Sequence, residues 1–343
     1  MYPSFLLILI AFFASETSIN DRTLKATTPA KVNSIRAALV RSFWGKPWSA
    51  VEKEQPRSVD HNYQPQAGDA LPAVENVRTV DRLQVGTETL PSTVFVFYPV
   101  HDAHKAVIVH QGHACDVNNA SGRPENPGLL IQKLVASGYI AAAMRMPLFQ
   151  NPANCSKSTK VHGDLFDHPP ARGSAVQYFL DPVARTVNYL VKTHLDLEEI
   201  DMSGLSGGGW TTTLYAAVDP RIVKSFAVSG TVPLYMRAPN YNHDREQYDA
   251  SIYSIAGYKD LYVLGSTGHG REQIQILNRH DDCCFGERQH KVGGSYAEMV
   301  HEYESDIQKL GFANFHVHID ETAQTHQISE DAINNVILPA VGK

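Results

Sequence analysis

Cysteine is scarce: only Cys115, Cys155, Cys283 and Cys284 occur in 343 residues. That number, with such irregular spacing, excludes a zinc ribbon or a dense disulfide scaffold. Basic runs are absent as well. The 30 Lys and Arg are scattered among 36 Asp and Glu, giving a net charge of −6, so the chain carries no electrostatic footprint for nucleic acid. Despite 16 histidines there is no H-E-x-x-H or other helical metal-ligand spacing. Short pairs such as His162-Gly-Asp164, Asp167-His168 and His280-Asp281-Asp282 are of the kind found in solvated loops. No internal repeat, low-complexity block or linker interrupts the chain.

One apolar run stands at the start, over residues 5–14. It has the length of a signal-peptide core and about half of what a membrane span needs, so residues 1–20 read as a secretion signal. An uncleaved anchor is the competing reading. Export would permit disulfides and would give meaning to the glycosylation sequons at Asn119 and Asn154. After signal removal no membrane association is expected. Residues 21–75 are polar and proline-containing, which predicts an irregular, loosely packed lead-in with one helix over 32–43.

From residue 76 the pattern is regular. Runs at 79–85, 93–98, 105–110, 139–144, 198–202, 222–228, 273–277 and 315–319 predict strands. Apolar stripes predict helices over 129–136, 181–193 (with Asp181-Pro182 as its start) and up to Val218. Strands alternating with helices imply an α/β fold with a mainly parallel sheet, as one domain over 76–343. Two long connections, 147–179 and 231–256, predict an irregular rim over one end of the sheet.

The stretch Ser203-Gly-Leu-Ser-Gly-Gly-Gly-Trp210 lies between a predicted strand and a predicted helix. Gly204-Leu-Ser206-Gly-Gly208 fits G-x-S-x-G, a sharp turn that exposes a nucleophilic serine and needs small flanking residues. No Gly-Lys-Ser/Thr follows, which argues against a phosphate loop.

With this elbow and with AAVDPRI at 216–222, the chain resembles the α/β-hydrolase family of serine esterases, similar to acetyl-xylan-esterase and dienelactone-hydrolase types. The resemblance implies a cofactor-free hydrolase of carboxylic esters, on a small-molecule or polysaccharide-linked substrate, with the chain order serine, acid, histidine. It places Ser206 as nucleophile and His326, after the last strand, as base. It places Asp281, after the 273–277 strand, as acid, with Asp282 as the alternative and Asp260, ahead of Leu261-Tyr-Val-Leu264, a third choice. The oxyanion donors it implies are the N–H groups of Gly207 and, by similarity of Val109-His-Gln-Gly-His113 to the family's loop, His113.

A disulfide from Cys115 to Cys155 or to the Cys283-Cys284 pair would stiffen the rim. Trp210, Tyr235 and Phe285 are either pocket linings or core residues. The other functional readings are a peptidase or amidase with the same triad, a metal-dependent hydrolase, and a binding protein that keeps the fold without its chemistry.

Overall fold

The computed structural model describes residues 21–69, 71–114, 126–149, 162–237, 244–289 and 295–342. The signal segment, both sequons, Cys115 and Cys155 lie outside the described residues. No helix of the described residues is long and apolar enough to cross a membrane.

Nine strands form one sheet: β1 (Ser58–Asp60), β2 (Val77–Gly86), β3 (Pro91–Pro99), β4 (Lys105–Gln111), β5 (Ile140–Arg145), β6 (Glu199–Leu205), β7 (Ile222–Val228), β8 (Glu272–Asn278) and β9 (Phe315–Asp320). Their order is β1-β2-β3-β5-β4-β6-β7-β8-β9. The first three strands pair antiparallel at one edge. From β5 across to β9 every pairing is parallel. Strands buried on both faces read as unbroken apolar runs, and β5 is buried along its whole length while β4 and β6 are only partly buried at their first residue and buried at every other.

Helices cover both faces. On one, Val176–Thr193, Gly207–Val218 and Tyr258–Ser266 pack Phe179, Trp210 and Tyr262 into a large core. On the other, Pro127–Ala136 and the C-terminal segment contribute Leu130, Leu134, Ile333 and Ile337 to a smaller one. Trp210 is fully buried and Phe285 nearly so, which makes both core residues; Tyr235 is partly buried beneath the Arg22 guanidinium.

Two local expectations are corrected. The helix expected over 181–193 begins at Val176, and Pro182 sits inside it. Proline removes only one N–H donor, whereas Val176, Phe179, Leu180 and Val183 continue the buried stripe across it, so packing outweighs the lost bond. Asp181 caps nothing and instead accepts from Arg185 Nε at 2.7 Å and Trp44 Nε1 at 3.3 Å.

The lead-in is also better packed than its polarity suggests. Its helix Pro29–Trp44 starts at Thr28, whose side chain accepts from Lys31 N, and ends at Gly45 in the left-handed region (φ 64°). Val32, Leu39, Val40, Phe43 and Trp44 are buried in the larger core. Arg36 donates from Nε to Ala217 O and from Nη2 to Leu264 O, both at 2.9 Å, so the helix caps the carboxyl ends of two others.

Candidate active site

Parallel strands deliver their carboxyl ends to one edge, about 4.8 Å apart per strand. Ser206 directly follows β6, Asp281 lies three residues past β8, and His326 six residues past β9. The Asp260 carboxylate is engaged elsewhere. Residues 261–264 are helical, and Asp260 Oδ1 accepts from Lys25 N at 2.7 Å and Ala26 N at 2.8 Å, tying down the N-terminal segment.

Ser206 adopts φ 59° and ψ −125°, a conformation that L-residues avoid. It is held there from both sides: its N–H donates to Val228 O and its carbonyl accepts from Trp210 N, both at 2.9 Å. A Cβ on Gly204 would lie 2.2 Å from Gly208 O, so the elbow closes only around glycine. The loop after β4 passes directly over the serine: a Cβ on Gly112 would meet Ser206 Cβ at 2.6 Å and Leu205 O at 2.7 Å.

His326 Nδ1 is 2.7 Å from Asp281 Oδ2, and because a carboxylate only accepts, Nδ1 carries the proton. The other oxygen, Oδ1, accepts from Cys283 N at 2.8 Å and Cys284 N at 3.0 Å. Burial alone would push the Asp281 carboxyl up, but the His326 bond and charge and these two amides together hold it below the ordinary range. His326 Nε2 is buried and has no hydrogen-bond partner among the described residues. Asn278 Nδ2 donates to Thr325 O at 3.3 Å and Gln327 O at 2.7 Å, gripping the chain on both sides of that histidine.

The two adjacent carboxylates face opposite ways. Asp281 is fully buried and Asp282 is exposed. Cys283 and Cys284 are bonded to each other, so neither bridges to Cys115. His316 is exposed, beside Asn314 and Gln308, and takes no part in the cluster.

No protein-family model matches the chain, and none of the curated proteins is similar to it at a significant level. Solved structures are more informative. The glucuronoyl esterase from Solibacter usitatus superposes with a TM-score of 0.54 over 99% of this chain and 98% of its own, at 14% identity. The acetyl xylan esterase 1 from Thermoanaerobacterium sp. gives 0.52 over 92% and 94%, at 10% identity. The chain has the α/β-hydrolase fold.

In this α/β-hydrolase fold the β4 loop carries a second cluster beside the elbow. The His113 ring packs on Gly207, where an added Cβ would come within 2.8 Å of His113 Cε1. Its Nε2 is 3.2 Å from His162 Nδ1, 3.4 Å from Glu246 Oε1 and 3.5 Å from Asp244 Oδ2. Burial disfavours the His113 cation, but Glu246 and Asp244 outweigh it and raise the imidazole above its ordinary value. Burial likewise pushes Glu246 up, and the imidazoles of His113 and His162 beside it reverse this, bringing it to about 2. His110, in β4 beneath the elbow, is pushed down to about 4 by burial, so it is neutral near pH 7.

Sequence reasoning named His113 for its backbone alone, and considered His162 only with Asp164, which proves to be exposed. Glu246 and Asp244 were missed. They lie in a connection with no periodicity, 84 residues from His162 in the case of Glu246, and no local spacing signals the meeting.

Proposed function

We propose that this chain is a serine hydrolase that cleaves carboxylic esters through an acyl-enzyme. The observation that carries the reading is the buried 2.7 Å bond between His326 Nδ1 and Asp281 Oδ2, at the strand edge where Ser206 is held in its strained turn. In the proposed reaction Ser206 Oγ attacks the ester carbonyl while His326 Nε2 takes its proton. The tetrahedral oxyanion accepts from the N–H groups of Gly207 and His113. His326 then returns the proton to the leaving alkoxide, and water repeats the sequence in reverse roles to release the acid and restore Ser206. Asp281 holds the imidazole in the tautomer this requires and stabilises its cation, without itself taking the proton.

An ester on a carbohydrate is the substrate class we favour. Two structures of the same fold that span nearly the whole chain are glucuronoyl and acetyl xylan esterases by name. Export is proposed as well, from the apolar run at residues 5–14. N-terminal sequencing of material recovered outside the producing cell tests it, and a start at Met1 counts against it.

The deciding experiment is labelling with a fluorophosphonate probe and peptide mapping, in wild type and Ser206→Ala. A label on Ser206 that vanishes in the variant is the expected result. A folded wild type that takes no label, and hydrolyses no ester in an acetyl and glucuronoyl panel, overturns the proposal.

A further inference from the structure

We propose that His113, His162 and Glu246 form a site for one divalent zinc-like cation beside the elbow. The three candidate ligand atoms are mutually 3.2 Å (His113 Nε2 to His162 Nδ1), 3.2 Å (His162 Nδ1 to Glu246 Oε1) and 3.4 Å (His113 Nε2 to Glu246 Oε1) apart. Tetrahedral zinc with bonds of about 2.0–2.1 Å to nitrogen and oxygen sets its ligands about 3.3–3.4 Å from one another. The three atoms therefore already form one face of that tetrahedron. Two histidines and one carboxylate suit zinc, and the fourth position is left for water or for Asp244, whose carboxylate lies on the same His113 nitrogen at 3.5 Å.

Hydrogen-bond accounting leads to the same place. His162 Nε2 is 3.0 Å from Pro147 O, and a carbonyl only accepts, so this nitrogen carries a proton. In the neutral ring Nδ1 is then a bare lone pair, pointed at a carboxylate oxygen and at the nitrogen of a second imidazole. A single proton on His113 Nε2 cannot serve His162, Glu246 and Asp244 together. Glu246 is fully buried, and its second oxygen, Oε2, has no partner among the described residues. Placing protons on every ring nitrogen instead would set two imidazolium groups 3.2 Å apart in a buried site. A dication at the centre converts each of these lone pairs into a ligand.

The surroundings have the form of a metal site's outer shell. The Pro147 carbonyl fixes the His162 tautomer that leaves Nδ1 free. Phe149 stands edge-on to both imidazoles, with centroids 5.3 Å from His113 and 5.5 Å from His162, and Phe179 is edge-on to His162 at 5.2 Å. These walls lower the local dielectric and fix the planes of both rings.

Two other groupings are weaker. At Cys283, Cys284 and His326 the sulfurs are bonded to each other. At His318, Asp320 and Asp331 the Asp320 carboxylate is already occupied by Thr322, Ala323 and Ser329.

A cation here would pin the β4 loop to two distant connections and so fix where the His113 N–H points. That consequence rests on the proposed hydrolase reading, whereas metal content does not.

The test is metal analysis of the whole protein after exhaustive dialysis, before and after chelator stripping and reloading with zinc alone. The expected result is close to one zinc per chain that returns on reloading. The zinc X-ray absorption spectrum should show a nitrogen and oxygen shell with two imidazoles and no sulfur. His162→Ala and Glu246→Gln should each lose the metal, while His318→Ala and Ser206→Ala retain it. A wild type that neither retains nor reloads zinc overturns the site, as does a spectrum with sulfur or fewer than two imidazoles. Retention by both His162→Ala and Glu246→Gln, folded by circular dichroism, overturns it too. If those variants do not fold, the wild-type spectrum alone decides. Because Ser206→Ala is expected to hold zinc while taking no fluorophosphonate, failure of the metal site and failure of the hydrolase reading are separately visible.

Discussion

Gly112 and Ser206 are so close that the smallest side chain on the first would displace the second: an added Cβ falls 2.6 Å from Ser206 Cβ. Gly112→Ala must therefore move the β4 loop, the elbow or both. We expect kcat/KM for an ester substrate to fall about 10²-fold or more, as for other displacements near 1 Å, with a stability loss of about 1–3 kcal/mol. Steady-state kinetics and denaturant melts measure both. An alanine variant with wild-type kcat/KM would show that the loop is not held against the serine.

Asp281→Asn keeps the shape of the side chain but can present an N–H to His326 Nδ1, favouring the wrong tautomer. A fall in kcat of about 10⁴ is expected. The same change at the exposed Asp282 should leave kcat within about twofold. If the two variants exchange these effects, the acid has been misplaced by one residue.

Ser206 is strained by its own backbone, so the proposed nucleophile should also destabilise the fold. Ser206→Gly relieves strain of about 1–3 kcal/mol against a glycine entropy cost of about 0.5–1 kcal/mol. A net gain of about 1 kcal/mol in chemical denaturation, with activity abolished, is the expected outcome. A glycine variant less stable than wild type would mean the turn is not strained.

Asp201, fully buried in β6, bears on pH dependence. Burial first, and then the Glu199 charge, raise its carboxyl well above the ordinary value, against a hydrogen bond from Lys224 N. The folded chain therefore keeps this proton at pH values where the unfolded chain has released it, so the group lowers stability as pH rises above about 4. Asp201→Asn should be more stable than wild type at pH 7, and the difference should shrink as pH falls below about 4. Melts at the two pH values decide it, and a constant difference would contradict the shift.

Legibility in the sequence tracked how local each cause is. Strands β4 to β6 could be read because a strand covered on both faces must be apolar almost throughout, and the Ser206 turn because Gly204 answers to a contact only four residues away, at Gly208. Asp281 and His326 could be placed only through the chain order of a resembling family. The start of the helix at Val176 was misread because proline is a common first residue, and only burial of Phe179 and Leu180 shows the helix passing through it. Packing of the lead-in was hidden because its partners, Ala217, Leu264 and Asp260, lie far along the chain. The meeting of His113, His162 and Glu246, separated by 49 and 84 residues, leaves no spacing to read.

Arg36 bonding to Leu264 has a consequence for the order in which the protein is made, because 228 residues separate donor from acceptor. At a synthesis rate of about 5–20 residues per second, the N-terminal helix emerges roughly ten to fifty seconds before the carbonyl it is to cap. Until then Val32, Leu39 and Phe43 have no finished core to enter. Closure of the fold therefore falls late in translation, once Leu264 has been made.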